Sequence, residues 1–267
     1  MPLAVCATPI GNLDDVTLRV LEELRSADFI LCEDTRHTRV LLDRHGISGA
    51  KLLSYHEHNE AKRTAELLPR LLARERAALV SDAGMPGISD PGARLVEAAL
   101  EQGVPVTVLP GPTAVDTALV AGGFAADRYQ FVGFLPRGAG ALASLWRELA
   151  GWAYPVVAFE SPRRLPATLR SLAAVQPERE VAVCRELTKK FEEVVRGPAA
   201  DVAARFAEPP KGEITLVLGP GGVEPDVEGA LEAVAELVAT GVPRRQAADV
   251  VSRLTGASRN ELYSGTL

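Results

Sequence analysis

Apolar residues gather in short runs at Leu3–Thr8, Asp28–Glu33, Ala77–Asp82 and Val104–Leu109. Runs of this length, closed by Gly, Pro or charged residues, predict buried strands. Between them the apolar positions recur at helical spacing. The Thr17–Leu24 segment puts Val20, Leu21 and Leu24 on one face, with Asp14 and Asp15 just ahead, where negative charge complements the helix dipole. Strands alternating with helices in this way predict a largely parallel sheet covered by helices.

A second series starts near Tyr129. Strand patterns at Gln130–Phe134, Val156–Phe159, Glu180–Arg185, Phe191–Arg196 and Glu213–Leu218 are interrupted by helical ones at Ala139–Ala150, Pro162–Ala174 and Ala199–Glu208. The Gly-rich stretch Ala121–Asp127 between the two series reads as a hinge. The expected fold class is therefore α/β: two α/β domains, 1–121 and 122–222, with a cofactor cleft between them, plus a small C-terminal helical segment over 223–267.

That tail reads as a helix from Asp226 through Val238, a turn at Thr240–Pro243, a helix Arg244–Leu254, a turn at Thr255–Ala257 and a last short helix capped by Ser258. Helix, Gly-containing turn, helix fits a helix-turn-helix, but on pattern alone it fits better a small bundle packed on the main body, because such turns join ordinary helices too. Arg244, Arg245, Arg253 and Arg259 favour contact with RNA.

Composition narrows the class. The chain has 267 residues, 47% of them hydrophobic and 24% charged, which is a globular profile. No run approaches the roughly 18 apolar residues of a membrane span. Met1–Cys6 lacks the basic opening of a signal peptide, so the expected location is the cytoplasm. Cys6, Cys32 and Cys184 are odd in number and far apart, which excludes a disulfide framework or a Cys-x-x-Cys clasp and makes them core residues. A formal net charge of −6 argues against coating nucleic acid through bulk charge and leaves only local basic patches.

The most informative stretch runs from Ser81 to Gly92, Ser-Asp-Ala-Gly-Met-Pro-Gly-Ile-Ser-Asp-Pro-Gly, between a strand and the helix expected at Ala93–Gln102. In an open α/β sheet this is where ligands bind. Its glycines let backbone approach a ligand, its prolines stiffen the loop, and Pro91 suits the first turn of the next helix. Two similar loops, Ala7–Asn12 and Leu109–Ala114, leave neighbouring strands, so three Gly/Pro loops on one sheet edge point to an extended small molecule lying across it. A G-x-G-x-x-G after the first strand and a G-x-x-x-x-G-K-[ST] are both missing, and Gly87-Ile88-Ser89-Asp90-Pro91 fails G-x-S-x-G. Dinucleotide oxidoreductases, P-loop NTPases and serine hydrolases lose ground, leaving a nucleoside-like ligand.

Seven segments then carry a resemblance: Ala7–Asn12, Cys32–Thr38, Tyr55–Glu60, Leu79–Gly92, Pro110–Ala114, Phe159–Arg164 and Cys184–Lys190. Together, over nearly the whole chain, they resemble the bacterial 16S ribosomal RNA (cytidine-2′-O)-methyltransferases of the tetrapyrrole methylase superfamily. The resemblance implies a two-domain methyltransferase that holds S-adenosyl-L-methionine folded in the interdomain cleft, acts on a decoding-site cytidine of the small ribosomal subunit and forms homodimers. Carried over, Pro9, Ile10, Met85, Ile88, Thr113, Ala114, Phe159, Leu187 and Gly212 would line the cofactor, with Asp82 and Gly84 shaping the long loop.

Methyl transfer from a sulfonium is an in-line displacement in which positioning dominates, and a weakly acidic ribose hydroxyl also profits from a base or a nearby cation. Glu33, Asp34, Arg36 and His37 cluster where the second strand ends. Asp34 is the first choice as base, beside its plain reading as a helix N-cap. His56-Glu57-His58 would place both imidazoles on one strand face, but lacks a third ligand at metal spacing. No metal is therefore expected, and substrate contact by His56, His58 and Asn59 is the alternative to a solvated loop. Lys189 can meet a phosphate or the reacting ribose, or belong with Arg185 and Glu186 to a salt-bridged turn. Arg163 and Arg164 carry the same two readings.

Overall fold

The computed structural model describes residues 2–222, 227–255 and 257–265. Strands β1 (Leu3–Cys6), β2 (Phe29–Cys32), β3 (Leu52–Ser54), β4 (Ala77–Val80) and β5 (Val106–Leu109) form a parallel sheet in the order β3-β2-β4-β1-β5. Helices α1 (Leu18–Ser26), α2 (Thr35–Arg44), α3 (Glu60–Leu72) and α4 (Ala93–Glu101) make the crossovers. Alternation along the central strands divides the core in two. Ala4, Cys6, Ile30, Cys32, Ala78 and Val80 pack against Val20, Leu24, Leu41 and Leu42 of α1 and α2. Leu3, Val5, Phe29, Leu31, Ala77 and Leu79 pack on the other face against Leu67, Leu71, Leu95 and Ala99 of α3 and α4.

The strand order explains that division. From β1 the chain steps towards β3 through α1 and α2, then returns towards β5 through α3 and α4, and right-handed crossovers taken in opposite directions lie on opposite faces. The chain therefore leaves β1 and its neighbour β4 over opposite faces, opening a crevice at their carboxyl ends. The loops at residues 7–12 and 81–92 sit there, tied by reciprocal backbone bonds between Thr8 and Gly84 at 2.8 and 3.1 Å.

The second sheet, β6 (Gln130–Phe134), β7 (Val156–Glu160), β8 (Glu180–Arg185), β9 (Glu193–Pro198) and β10 (Ile214–Leu218), has the order β6-β7-β10-β8-β9. Only β6 and β7 run parallel; the other pairs are antiparallel. One face is covered by α6 (Ala139–Ala150), α7 (Leu165–Ala173) and α8 (Ala199–Arg205), with Trp146 fully buried among Leu149, Leu169 and Leu172. The other face receives α5 (Ala114–Ala121), whose Ala118 and Leu119 pack with Ile10 of the first half against Val157, Ala182, Cys184 and Val217. This shared apolar layer sets the two sheets around one cleft.

Helices α9 (Val227–Ala239), α10 (Arg244–Thr255) and α11 (Arg259–Gly265) enclose their own small core, with Ala230, Val234, Ala248, Val251 and Leu262 buried. Arg259 pairs with Asp249 at 2.7 Å and Arg244 lies over the Tyr263 ring. The expected helix start at Asp226, Gly256 of the last turn and the terminal Leu267 lie outside the described residues. All three cysteines are buried, and burial pushes the Cys6 and Cys184 thiols up to about 12. Among the described residues no helix is long and apolar enough to cross a membrane.

Candidate functional site

A cleft of about 700 Å³ opens between the two sheets. The first half contributes Ile10 after β1, the Asp82–Asp90 loop after β4, and Thr113–Asp116 at the start of α5. The second contributes Phe131 and Phe134 of β6, Phe159–Pro162 at the end of β7, Leu187, and Gly212–Thr215 leading into β10. Phe159 meets Phe131 and Phe134 edge-to-face, with centroids 5.0 and 5.5 Å apart. Ile88 and Phe134 are more than half exposed although both face the cleft, so the lip is apolar and uncovered.

Of the residues assigned above to the cofactor, Ile10, Asp82, Gly84, Met85, Ile88, Thr113, Ala114, Phe159, Leu187 and Gly212 all line this cleft. Pro9 faces instead a neighbouring cavity of about 80 Å³ lined also by Thr8, His37, Thr38, Leu41 and Lys189. The two spaces share Ile10, Asp82, Ala83 and Glu213 as a common wall. Gly84 presents backbone to the cleft at φ +76°, a conformation that a residue with a side chain rarely adopts.

The charged candidates are placed differently from one another. The Asp34 carboxylate accepts the Arg36 N–H at 2.8 Å as the cap of α2 and pairs with the Arg36 guanidinium at 2.7 Å. These bonds hold it down at about 2, and it lines neither cavity, so at neutral pH it is a weak proton acceptor. Glu33 is exposed; desolvation and the neighbouring Asp82 raise its carboxyl above the usual range. Lys189 is bracketed by Glu186 and Glu213, both at 2.9 Å; burial opposes its charge, but the two carboxylates outweigh burial and raise it.

Contrary to the strand expected there, His56-Glu57-His58 forms a turn, because Asn59 folds it back: its Oδ1 accepts the His56 N–H at 2.9 Å and its amide reaches the Ser54 carbonyl at 3.3 Å. The Asn59 side chain is thus spent on the turn. His56 Nε2 faces the Asn59 amide at 3.1 Å, leaving Nδ1 buried without a partner. Arg185 is ion-paired with Glu193 at 2.9 Å, whereas Arg163 and His37 stand exposed.

Glycine decides one contact. Gly212 adopts φ +97°, and a Cβ there would overlap the Glu186 side chain, which accepts the Glu213 N–H at 3.0 Å and holds Lys189. Gly212→Ala is expected to lower unfolding free energy by about 1–2 kcal/mol. Urea unfolding checks this, and an unchanged midpoint would mean that Glu186 relocates freely.

Sequence reasoning passed over Asp90, Asp116, Glu160 and Glu213, all of which line the cleft. Asp116 accepts from the Thr113 hydroxyl at 2.6 Å and from Tyr129 Oη at 3.0 Å. Glu160 is buried, receiving the Ser161 N–H at 2.7 Å and the Thr168 hydroxyl at 2.6 Å and pairing with Arg164 at 3.2 Å. Asp90 lies in the Ser81–Gly92 loop, where its placement beside Pro91 is the available signal.

A family model for tetrapyrrole (corrin/porphyrin) methylases matches residues 2–203, and one described as the RsmI C-terminal HTH domain matches residues 224–264. A ribosomal RNA small subunit methyltransferase I of Mesorhizobium japonicum is 41% identical over 98% of this chain and 90% of its own length. One of Thermotoga maritima is 45% identical over 81% of this chain and 97% of its own length. Among solved structures, the methyltransferase CobJ is similar in fold, with a TM-score of 0.63 at 20% identity over 82% of this chain and 93% of that one. So is the uroporphyrin-III C-methyl transferase of Thermus thermophilus complexed with S-adenyl homocysteine, with a TM-score of 0.57 at 18% identity, covering 81% and 96%. The chain belongs to the tetrapyrrole methylase family and, within it, to the ribosomal RNA small subunit methyltransferase I proteins.

Proposed function

We propose that this chain transfers the methyl group of S-adenosyl-L-methionine to the ribose 2′-oxygen of a decoding-site cytidine in 16S ribosomal RNA, acting as a homodimer on the small ribosomal subunit. The observation that carries this reading is the cleft, which gathers three strand-end loops of one sheet and an aromatic-lined wall of the other around about 700 Å³. That is the size range of sites for ligands of this kind. Its lining fits the cofactor: Phe131, Phe159, Ile88 and Leu187 offer apolar surface for an adenine and a thioether chain. Gly84 and the first residues of α5 offer backbone, and Asp82 offers its second carboxylate oxygen as an acceptor for a hydroxyl or ammonium group.

When bound, the cofactor supplies an electrophilic methyl carbon on a positively charged sulfur. The chain's own task is then to hold the attacking oxygen in line and keep water out, an effect worth up to about 7–11 kcal/mol. The acceptor would approach over the wall shared by the two cavities, past His37 and Lys189, with Arg163 free to meet a phosphate. Arg245 and Arg253 of α10 extend the same reading to the tail. A polycarboxylate tetrapyrrole acceptor is disfavoured, because the Asp82 charge already raises the proton affinity of Glu33 and Asp90 there, and further carboxylates would be repelled. A non-catalytic RNA-binding module leaves the cleft without a purpose.

The test is transfer of labelled methyl from S-adenosyl-L-methionine to purified small subunits lacking the modification, followed by nuclease digestion and mass spectrometry. A single 2′-O-methylcytidine is expected. Label on a base, or none at all with cofactor bound, would reject the acceptor assignment.

A further inference from the structure

We propose that Asp90 is the catalytic residue that takes the proton from the attacking hydroxyl. This rests on the ribose-methylation reading above and adds to it the group that moves the proton. The cleft is lined by the carboxylates of Asp82, Asp90, Asp116, Glu160 and Glu213. Four of them are committed. Asp82 accepts the Asp34 N–H at 3.1 Å, Asp116 holds Thr113 and Tyr129, Glu160 holds Arg164 and Thr168, and Glu213 holds Lys189. Among the described residues Asp90 has no hydrogen-bond or ion-pair partner, so its oxygens are left for a ligand.

Its backbone is built to present it. Ser89 is held at φ +61°, a conformation costly for a residue with a side chain, and the Pro91 ring restricts the backbone of Asp90 just before it. Gly87 (φ +85°) and Gly92 (φ +140°) close the loop so tightly that a Cβ on Gly92 would lie 3.0 Å from Leu79 Cδ2. The charged groups facing Asp90 are Glu33 from the end of β2 and Asp82 from the end of β4. Arg94, the first base that follows along the chain, is turned to Glu60 at 3.4 Å. Burial first, then these two carboxylates, push Asp90 up to about 6, the range in which a group is ionised at neutral pH yet still binds a proton well.

The step balances without a further reactant. As the hydroxyl oxygen bonds to the methyl carbon, the carbon–sulfur bond breaks with its electron pair on sulfur, and the hydroxyl proton passes to a carboxylate oxygen of Asp90. From there it leaves to solvent.

Asp90→Asn and Asp90→Glu would be compared with the unaltered chain in single-turnover methyl transfer to small subunits lacking the modification, on both sides of pH 6, with S-adenosylhomocysteine affinity measured by calorimetry. For Asp90→Asn the expected result is a loss of roughly 10²–10⁴-fold in rate, disappearance of the acidic limb of the pH profile, and unchanged affinity for S-adenosylhomocysteine. Asp90→Glu should recover part of the rate. Retained binding shows that each variant folds. An unaltered rate in Asp90→Asn, or a loss of affinity that matches the loss of rate, overturns the proposal and in the second case makes Asp90 a cofactor ligand. If the unaltered chain binds S-adenosylhomocysteine but labels no RNA, the acceptor assignment fails, and the proton step falls with it.

Discussion

Replacing Arg179 by methionine is expected to lower unfolding free energy by about 2–4 kcal/mol, because several charge-assisted bonds in the interior are lost together. Arg179 is only 7% exposed and, among the described residues, has no carboxylate partner. Its Nε and Nη2 donate to the Gly219 carbonyl at 3.0 and 2.9 Å, and its Nη1 donates to the Leu149 carbonyl and to Gln176 Oε1, both at 2.8 Å. One guanidinium thus closes the carboxyl end of α6 and ties it to the segment leaving β10. Burial pulls it down to about 10, which still leaves it charged at neutral pH. Methionine would keep much of the stem's volume but strand the Gly219 carbonyl and leave the Leu149 carbonyl with backbone donors such as the Trp152 N–H alone. Thermal unfolding should show the midpoint fall by roughly 5–12 °C. Lysine, with one charge and no fork, should lie between the two. A methionine variant that melts with the unaltered chain would mean that water serves those carbonyls as well as the guanidinium does.

Much of the fold is legible because each strand and helix advertises itself locally. β6, β8 and α6 occupy the spans that apolar spacing assigns them, and α10 extends its span by one residue. β3 was passed over because Leu52–Ser54 is three residues long and only partly buried, too short for an alternation to register. The His56–His58 turn differs from the strand its residue spacing predicts, since nothing local announces that Asn59 bonds back to His56 and Ser54. What no local pattern carries is the docking of α5, which follows the last strand of the first sheet yet buries Ala118 and Leu119 against the second. That contact is between parts of the chain distant in sequence, and it sets the width of the cleft.

The site divides in the same way. Gly and Pro density identified the loops that line the cleft, because backbone conformation is written in those residue types. Charged groups were harder, since the role of a carboxylate depends on what surrounds it. Asp34 has the residue type of a base and the surroundings of a cap, with Arg36 two positions away. Lys189 has the type of a phosphate contact, but Glu213, far along the chain, answers it. Asp90 is visible in the sequence, whereas its partial burial and its lack of a partner among the described residues are not.

Those surroundings give Asp90 a second expected signature, of opposite sign to its effect on rate: the ligand-free Asp90→Asn variant should be more stable than the unaltered chain at neutral pH. The folded chain holds this carboxyl at about 6 against an ordinary 3.8, so between those values it binds more protons than the unfolded chain does. Stability therefore falls as pH rises through that window, and the full penalty is present above it. Asparagine cannot ionise and escapes the penalty, a gain of about 1–3 kcal/mol at pH 7 after allowing for partial solvent access. Below the ordinary carboxyl value both chains carry a neutral group there, and the difference should vanish. Urea unfolding of both chains across this range measures it directly. A charge kept in the cleft at a cost to folding, and released by one substitution that also removes activity, is the trade expected where a group serves chemistry rather than structure. If the two chains instead lose stability in parallel as pH rises, Asp90 is solvated well enough to titrate normally, and its candidacy as the proton acceptor would rest on position alone.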